Sequence, residues 1–191
     1  MPQTFWDAGI FAAIGLLSGL LVVSVREFAR TPIGDFLHKL TLDNESSAYT
    51  KTYLEKMLLN MKAADTSWPI SFILISLKNS RDVYRILPSF SRKKIMTETF
   101  RRLKGQLKGN DLIGRWDEFT FAVVLPMTPK KAVGVIEDRL LQSLQPPISY
   151  GVEDSDQVEL SPISVISTSE NIQDFETFIS KAEETLRDEE W

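Results

Sequence analysis

A chain of 191 residues with 22 Lys plus Arg against 26 Asp plus Glu carries a formal net charge of −4, so no global positive field favours nucleic acid. It has no cysteine and a single histidine, His38, which excludes disulfides, thiolate metal sites and cysteine nucleophiles and leaves little for His-based triads or His-rich metal centres. Setting aside an apolar N-terminal stretch, about 150 residues remain, the usual size of one domain.

Ala8 to Val25 (AGIFAAIGLLSGLLVVSV) holds no charge, and 18 residues rising ~1.5 Å each span ~27 Å, close to the hydrocarbon thickness of a bilayer. Thr4, Phe5 and Trp6 extend the run, with Trp6 at headgroup level. A cleaved signal peptide is the competing reading, and it needs a basic start and a small-x-small site after the run. Here the start, Met-Pro-Gln-Thr-Phe-Trp-Asp, has no Lys or Arg, and the run ends Val-Val-Ser-Val-Arg. The expectation is a short extracytoplasmic tail over 1–7, a transmembrane helix over 8–25, a juxtamembrane connector over 26–42 and a domain over 43–191. Asp7 is the only charge before the helix, whereas Arg26, Arg30, His38 and Lys39 follow it, which places the domain in the cytoplasm. Gly15 and Gly19 form a G-x-x-x-G pair, with Ala8, Ala12 and Ser18 beside it, that lets a second helix approach; equally, small residues are simply common in membrane helices.

In the connector, Pro32 and Gly34 precede a short apolar pattern at Phe36, Leu37 and Leu40. Ser47 to Ala64 repeats apolar residues at Tyr53, Leu54, Met57, Leu58 and Met61, the spacing of one helix face. Trp68-Pro69 breaks it, and Ile70 to Leu77 is a short apolar, β-branched run, as in a strand covered on both faces. Ser89 to Lys108 is an amphipathic helix with Ile95, Met96, Phe100, Leu103 and Leu107 inward and Arg92, Lys93, Lys94, Arg101, Arg102 and Lys104 mostly outward. That basic face is either solvated or a contact for phosphates or anionic lipid. Leu112 to Trp116 and Thr120 to Pro126 read as strands of a hairpin with Asp117-Glu118 at its tip. Pro129 to Leu144 is a helix, Ile148 to Val152 and Glu159 to Ser167 are strand candidates, and Asp174 to Glu189 is a closing helix with Phe175, Phe178, Ile179, Ala182 and Leu186 on one face. Helices alternating with strands around one hairpin predict an α/β fold, helices packed on a central mixed sheet.

Across Asp43 to Glu189 the chain resembles the GGDEF (diguanylate cyclase) domain, a nucleotidyl cyclase-type fold, and the resemblance implies a bacterial protein. Asp43-Asn-Glu-Ser-Ser-Ala-Tyr-Thr-Lys-Thr-Tyr-Leu54 is similar to that family's opening segment, and Leu107 to Trp116 to its L-R-x-x-D-L-v-a-R-y string. Phe121 to Pro126 resembles the strand that leaves the signature turn, and Ile179 to Leu186 the terminal helix. The five signature positions then fall on Asp117, Glu118, Phe119, Thr120 and Phe121, where both glycines and the Asp-Glu pair are replaced.

The resemblance further implies metal-binding carboxylates at positions held here by Ser76 and Thr120, with Lys78 at the second Asp of a D-x-D and Lys93 at a G-D aspartate. Without hard oxygen ligands there, no Mg²⁺, no cofactor, no catalytic residue and no diguanylate cyclase activity are expected. Asp117 and Glu118 are solvated turn residues on this reading, or a displaced metal site. The family's R-x-x-D inhibitory site reads Lys108-Gly-Asn-Asp111; Lys108, Asp111 and Arg115 would form a remnant nucleotide site, although Lys lacks the planar fork of Arg. The expected function is a silent, membrane-anchored interaction or scaffold subunit of a larger bacterial inner-membrane complex. Its partners would be the lipid bilayer and a membrane protein, met through Gly15 and Gly19 and through Trp116 and Phe119 if these are exposed, with no nucleic acid and no nucleotide expected; Trp116, following Arg115 at a strand end, is equally a core residue. The alternative is a degenerate receptor for cyclic di-GMP or GTP that regulates a membrane partner.

Overall fold

The structure, a computed structural model, describes residues 40–64, 67–78, 81–151, 156–171 and 174–189. The chain divides after Leu40, and the unit from Thr41 onward is the domain treated below. The expected membrane helix over 8–25, its Gly15 and Gly19, the tail over 1–7 and all but the end of the connector lie outside the described residues. Among the described residues no helix is long and apolar enough to cross a membrane.

The elements in chain order are β1 (Tyr49–Thr50), α1 (Lys51–Ala64), β2 (Ile70–Ser76), α2 (Arg81–Ile86), α3 (Ser89–Gln106), β3 (Leu112–Arg115), β4 (Thr120–Leu125), α4 (Lys130–Leu144), β5 (Ile148–Ser149), β6 (Gln157–Val158), β7 (Ile163–Ser169) and α5 (Phe175–Glu189). Five strands form one sheet in the order β1-β3-β4-β2-β7; β1 runs parallel to β3 and every other neighbour is antiparallel. β5 and β6 pair as a separate ribbon.

The two-residue period of a strand sorts the core. Ile73, Ile75, Phe121 and Val123 share one face with Met96 and Leu103 of α3 and Val133, Leu140 and Leu144 of α4. Phe72, Leu74, Ala122 and Val124 share the other with Leu54 and Leu58 of α1 and Phe175, Phe178, Ala182 and Leu186 of α5. Burial on both sides explains why β2 reads as an unbroken apolar run, and all seven of its residues are buried.

The structure differs from the predicted elements at four places. The helix expected from Ser47 begins at Lys51, because Tyr49 and Thr50 are drawn into the sheet opposite Gly114 and Arg115. The short α2 was not expected. The strand expected over Ile148 to Val152 covers only Ile148–Ser149 among the described residues. The strand expected over Glu159 to Ser167 begins only at Ile163, after Pro162, whose ring nitrogen cannot donate to a ladder, and runs on to Ser169, while Gln157–Val158, just before the expected range, pairs with β5.

At Gly114, β3 comes close against α1 and β1. A Cβ there would stand 2.4 Å from Leu54 Cδ1 and 2.7 Å from the Tyr49 carbonyl oxygen. Gly114→Val is therefore expected to cost about 1–3 kcal/mol through overpacking, read as a lower urea midpoint at unchanged slope. An unchanged midpoint would mean that α1 is free to move off the sheet.

Candidate functional site

The β3–β4 hairpin carries the signature positions, and sheet register brings the sequence-predicted site residues to it. Ser76 of β2 pairs directly with Thr120 of β4. Both positions at which the resemblance implies metal-binding carboxylates are thus cross-strand neighbours, fully buried. Thr120 Oγ1 has no hydrogen-bond partner among the described residues, while Ser76 Oγ accepts from the Lys78 amide at 3.3 Å. Two neutral hydroxyls do not fit a hard divalent cation. Among the described residues no group of three or more His, Cys, Asp or Glu is gathered where an ion could sit.

The turn itself is closed by its own residues. The amides of Trp116 and Asp117 both donate to the Thr120 carbonyl, at 2.8 and 3.3 Å, and the Phe119 amide donates to Asp117 Oδ1 at 2.8 Å. Asp117 and Glu118 are exposed at the tip, whereas the Phe119 side chain turns back into the domain, 4 % exposed. Its ring meets Tyr84 edge-on at 5.2 Å, and its carbonyl accepts from the Leu77 amide at 2.7 Å. Trp116 is 6 % exposed and packs edge-on against Phe72 at 5.1 Å. Trp116 thus takes the core role that its place at a strand end allowed, and the exposed contact foreseen for Phe119 is corrected: hydrophobic burial on the two sides of the sheet claims both rings.

Arg115 holds the hairpin from behind. Its guanidinium is buried and donates to the carbonyls of Asp117, at 2.7 Å, and Glu118, and it lies 3.5 Å from Glu45 Oε2. Glu45 also accepts from the Tyr84 hydroxyl at 2.7 Å, and its carbonyl from Thr97 Oγ1 at 2.9 Å. The loop bearing Glu45 is shaped by Asp43, whose carboxylate accepts from the Ser46 amide and hydroxyl at 2.8 and 2.7 Å. Sequence reasoning missed Glu45. The opening segment and the signature turn, 70 residues apart, meet through it.

Burial, the hydrogen bond to Glu45 and the Glu45 charge push Tyr84 from 10.0 up to about 12. Folding favours the neutral phenol, so its contribution to stability is complete below 10 and is lost as pH rises toward about 12. In an ultraviolet pH titration, one of the four tyrosines should ionise near pH 12, and the Tyr84→Phe variant should lack that step. Four ordinary titrations would contradict the Tyr84–Glu45 bond.

On the opposite side, Glu183 of α5 accepts from Lys51 Nζ at 3.0 Å and Trp116 Nε1 at 2.8 Å, and Lys51 lies over the Trp116 ring at 4.3 Å. Burial opposes the Glu183 charge, but these hydrogen bonds and the Lys51 and Arg187 charges outweigh it and hold the carboxyl below the ordinary glutamate range. Lys78, Asp117, Glu183 and Arg187 line one groove here. Lys93 stands exposed on α3.

Lys108 and Asp111 share one turn: the Lys108 amide donates to Asp111 Oδ2 at 2.8 Å, the Asp111 amide to the Lys108 carbonyl at 2.9 Å, and Gly109 between them has φ +52°. Arg115 stands at the far end of β3 and spends its guanidinium on the hairpin and Glu45, so the structure does not gather the three around one site.

The family model described as "Diguanylate cyclase, GGDEF domain" matches residues 46–190. The diguanylate cyclase SiaD of Pseudomonas aeruginosa, solved with its activator SiaC, is similar at a TM-score of 0.69 and 15% identity, over 97% of this chain and 72% of that one. The coiled coil and GGDEF domain of DgcB from Caulobacter crescentus, in complex with c-di-GMP, gives 0.73 and 10% identity over 93% and 92%. The S helix-GGDEF-EAL portion of Vibrio cholerae LapD, bound to c-di-GMP, gives 0.57 and 12% over 72% and 32%. No curated protein matches.

One expectation is overturned here. Replacement of the signature residues led to the chain being read as no enzyme, yet the family that matches is that of the diguanylate cyclases, and SiaD, similar in fold, is one. With a match over most of its length, the chain belongs to the diguanylate cyclase GGDEF domain family.

Proposed function

We propose that this chain is a membrane-anchored GGDEF-domain subunit of a bacterial inner-membrane assembly, single-pass with the domain in the cytoplasm, acting through protein contacts. The uncharged run over 8–25 and the basic residues after it support the anchor and its orientation. The observation that carries the protein-contact reading is the hairpin. Arg115 and Phe119 fix its base, and Asp117 and Glu118 are held out as an acidic edge. A pre-ordered tip loses little conformational freedom on docking. SiaD offers a precedent for a protein of this fold solved with a protein activator.

The test is purification of the full chain from its native membrane in mild detergent. The comparison is wild type against Gly15→Leu/Gly19→Leu and Asp117→Lys/Glu118→Lys. A stoichiometric partner retained by wild type and lost from both double variants is expected. A solitary protein would overturn the reading.

A second reading, receptor for cyclic di-GMP or GTP, draws on the DgcB and LapD complexes and on the intact Lys108–Asp111 turn. A receptor gains about 2.7 kcal/mol at a nucleotide concentration 100 times its dissociation constant. A thermal transition unmoved by either nucleotide removes this reading. The same sample, given GTP and Mg²⁺, should be assayed for the cyclase activity characteristic of the family.

A further inference from the structure

Between Arg81 and Lys104 the chain places eight Lys and Arg against Asp82 and Glu98, a local excess of six positive charges in a protein whose total is −4. The fold puts this excess at one corner, where α2 turns into α3. Leu87 packs inward against the small core of Ile95, Ile148 and Val158, so its neighbours must face out. Ile86 is 81 % exposed and Phe90 76 %. Other exposed large apolar residues, such as Leu59, Met127 and Val135, lie singly on separate elements, which is normal for a protein surface. Here two flank one corner.

Helical spacing sets Lys93, Lys94 and Thr97 on the same face as Phe90, and these four border one open groove that Pro147 and Ser149 close from the other side. Arg102 and Glu98 brace its end: Glu98 accepts from Arg101 and Arg102, and Arg102 also donates to the Pro146 and Pro147 carbonyls. Lys93 and Lys94 are exposed at the rim, with one Lys94 Nζ proton donated to the Gly151 carbonyl at 3.2 Å. The loop at which the chain enters the domain touches this same corner, since Glu45 holds Tyr84 of α2 and Thr97 of α3.

We infer that the α2–α3 corner is a membrane-contacting surface, on which Ile86 and Phe90 enter the interface and the groove beside Phe90 takes the phosphate headgroups of anionic phospholipids. Apolar side chains ringed by Lys and Arg are the chemistry of peripheral membrane binding, where apolar burial and attraction to anionic lipid add. The inference uses the anchored reading only for the supply of a bilayer.

Because the chain has no cysteine, Ser89→Cys, exposed beside Phe90, accepts a single environment-sensitive fluorophore, and Ser180→Cys, exposed on α5, serves as control. The full chain is reconstituted in nanodiscs of phosphatidylcholine with or without phosphatidylglycerol, each containing nitroxide-labelled lipid. Quenching at position 89 in the anionic discs alone, reversed by high salt and absent at position 180, is expected. Lys93→Gln/Lys94→Gln should lower the lipid-bound population about tenfold or more, and Ile86→Ser/Phe90→Ser should abolish quenching.

Equal quenching at both positions, or none at 89, overturns the inference. So does protection of the label that appears only with a co-purified protein. If the chain fails to stay with the discs, the anchored reading fails instead. The labelled chain is then mixed with anionic vesicles, where salt-sensitive quenching at 89 upholds the surface and its absence overturns it.

Discussion

Phe119→Ala is expected to destabilise the domain by about 3–5 kcal/mol, the usual loss for a buried aromatic truncated to alanine. The ring is 4 % exposed and packs on Tyr84, and the backbone beside it is tied to Leu77. Against a total stability of roughly 5–15 kcal/mol, such a loss should be plain in urea denaturation. Had Phe119 been a surface residue, as the turn-like sequence around it suggested, the change would fall within about 0.5 kcal/mol. Phe119→Leu, which keeps most of the volume, should recover much of the difference.

Arg115→Met should cost about 2–3 kcal/mol. The guanidinium donates to two carbonyls of the turn and faces Glu45, and hydrogen bonds from a charged donor are worth roughly 1.5–3 kcal/mol each. The carbonyls it releases can turn to water at an exposed tip, which keeps the loss from doubling. Arg115→Lys restores only part, because one ammonium cannot reproduce a planar fork aimed at three acceptors. A second readout separates this role from simple packing. Arg115 lowers the Tyr84 pKa, so Tyr84 should ionise even later in Arg115→Met than in the wild type. A loss under about 1 kcal/mol with unchanged Tyr84 titration would show that the hairpin stands without its arginine.

The legible parts of the fold were those with a local period. α1, α3, α4 and α5 show apolar residues at helical spacing, and β2 shows a run too short for a helix and too apolar for a surface strand. The hairpin strands were read to within one residue because Asp117-Glu118 punctuates them. What was missed depends on partners far along the chain. β1 is two residues long and exists only because β3 lies beside it, 65 positions later for the Tyr49–Gly114 pair.

The site shows the same divide. The positions of Ser76 and Thr120 came from the family resemblance, and only the register shows that they are cross-strand neighbours. The inward turn of Phe119 and the role of Glu45 were not legible, since a turn with two carboxylates reads as exposed whichever way its aromatic points, whereas a core role for Trp116 was open from its place at a strand end. Even so, the signal was partly present. Arg115 precedes an aromatic in a strand covered on both faces, and a cation at such a place needs an acceptor to be tolerated.

The most direct test of the protein-contact account places a photo-reactive amino acid at Glu118 of the full chain and irradiates intact cells, with the exposed Gln142 of α4 as control. The account predicts one discrete protein adduct at position 118, none at 142, and loss of the adduct when Phe119→Ala frees the tip. No adduct at 118, or the same diffuse products at both positions, would contradict it.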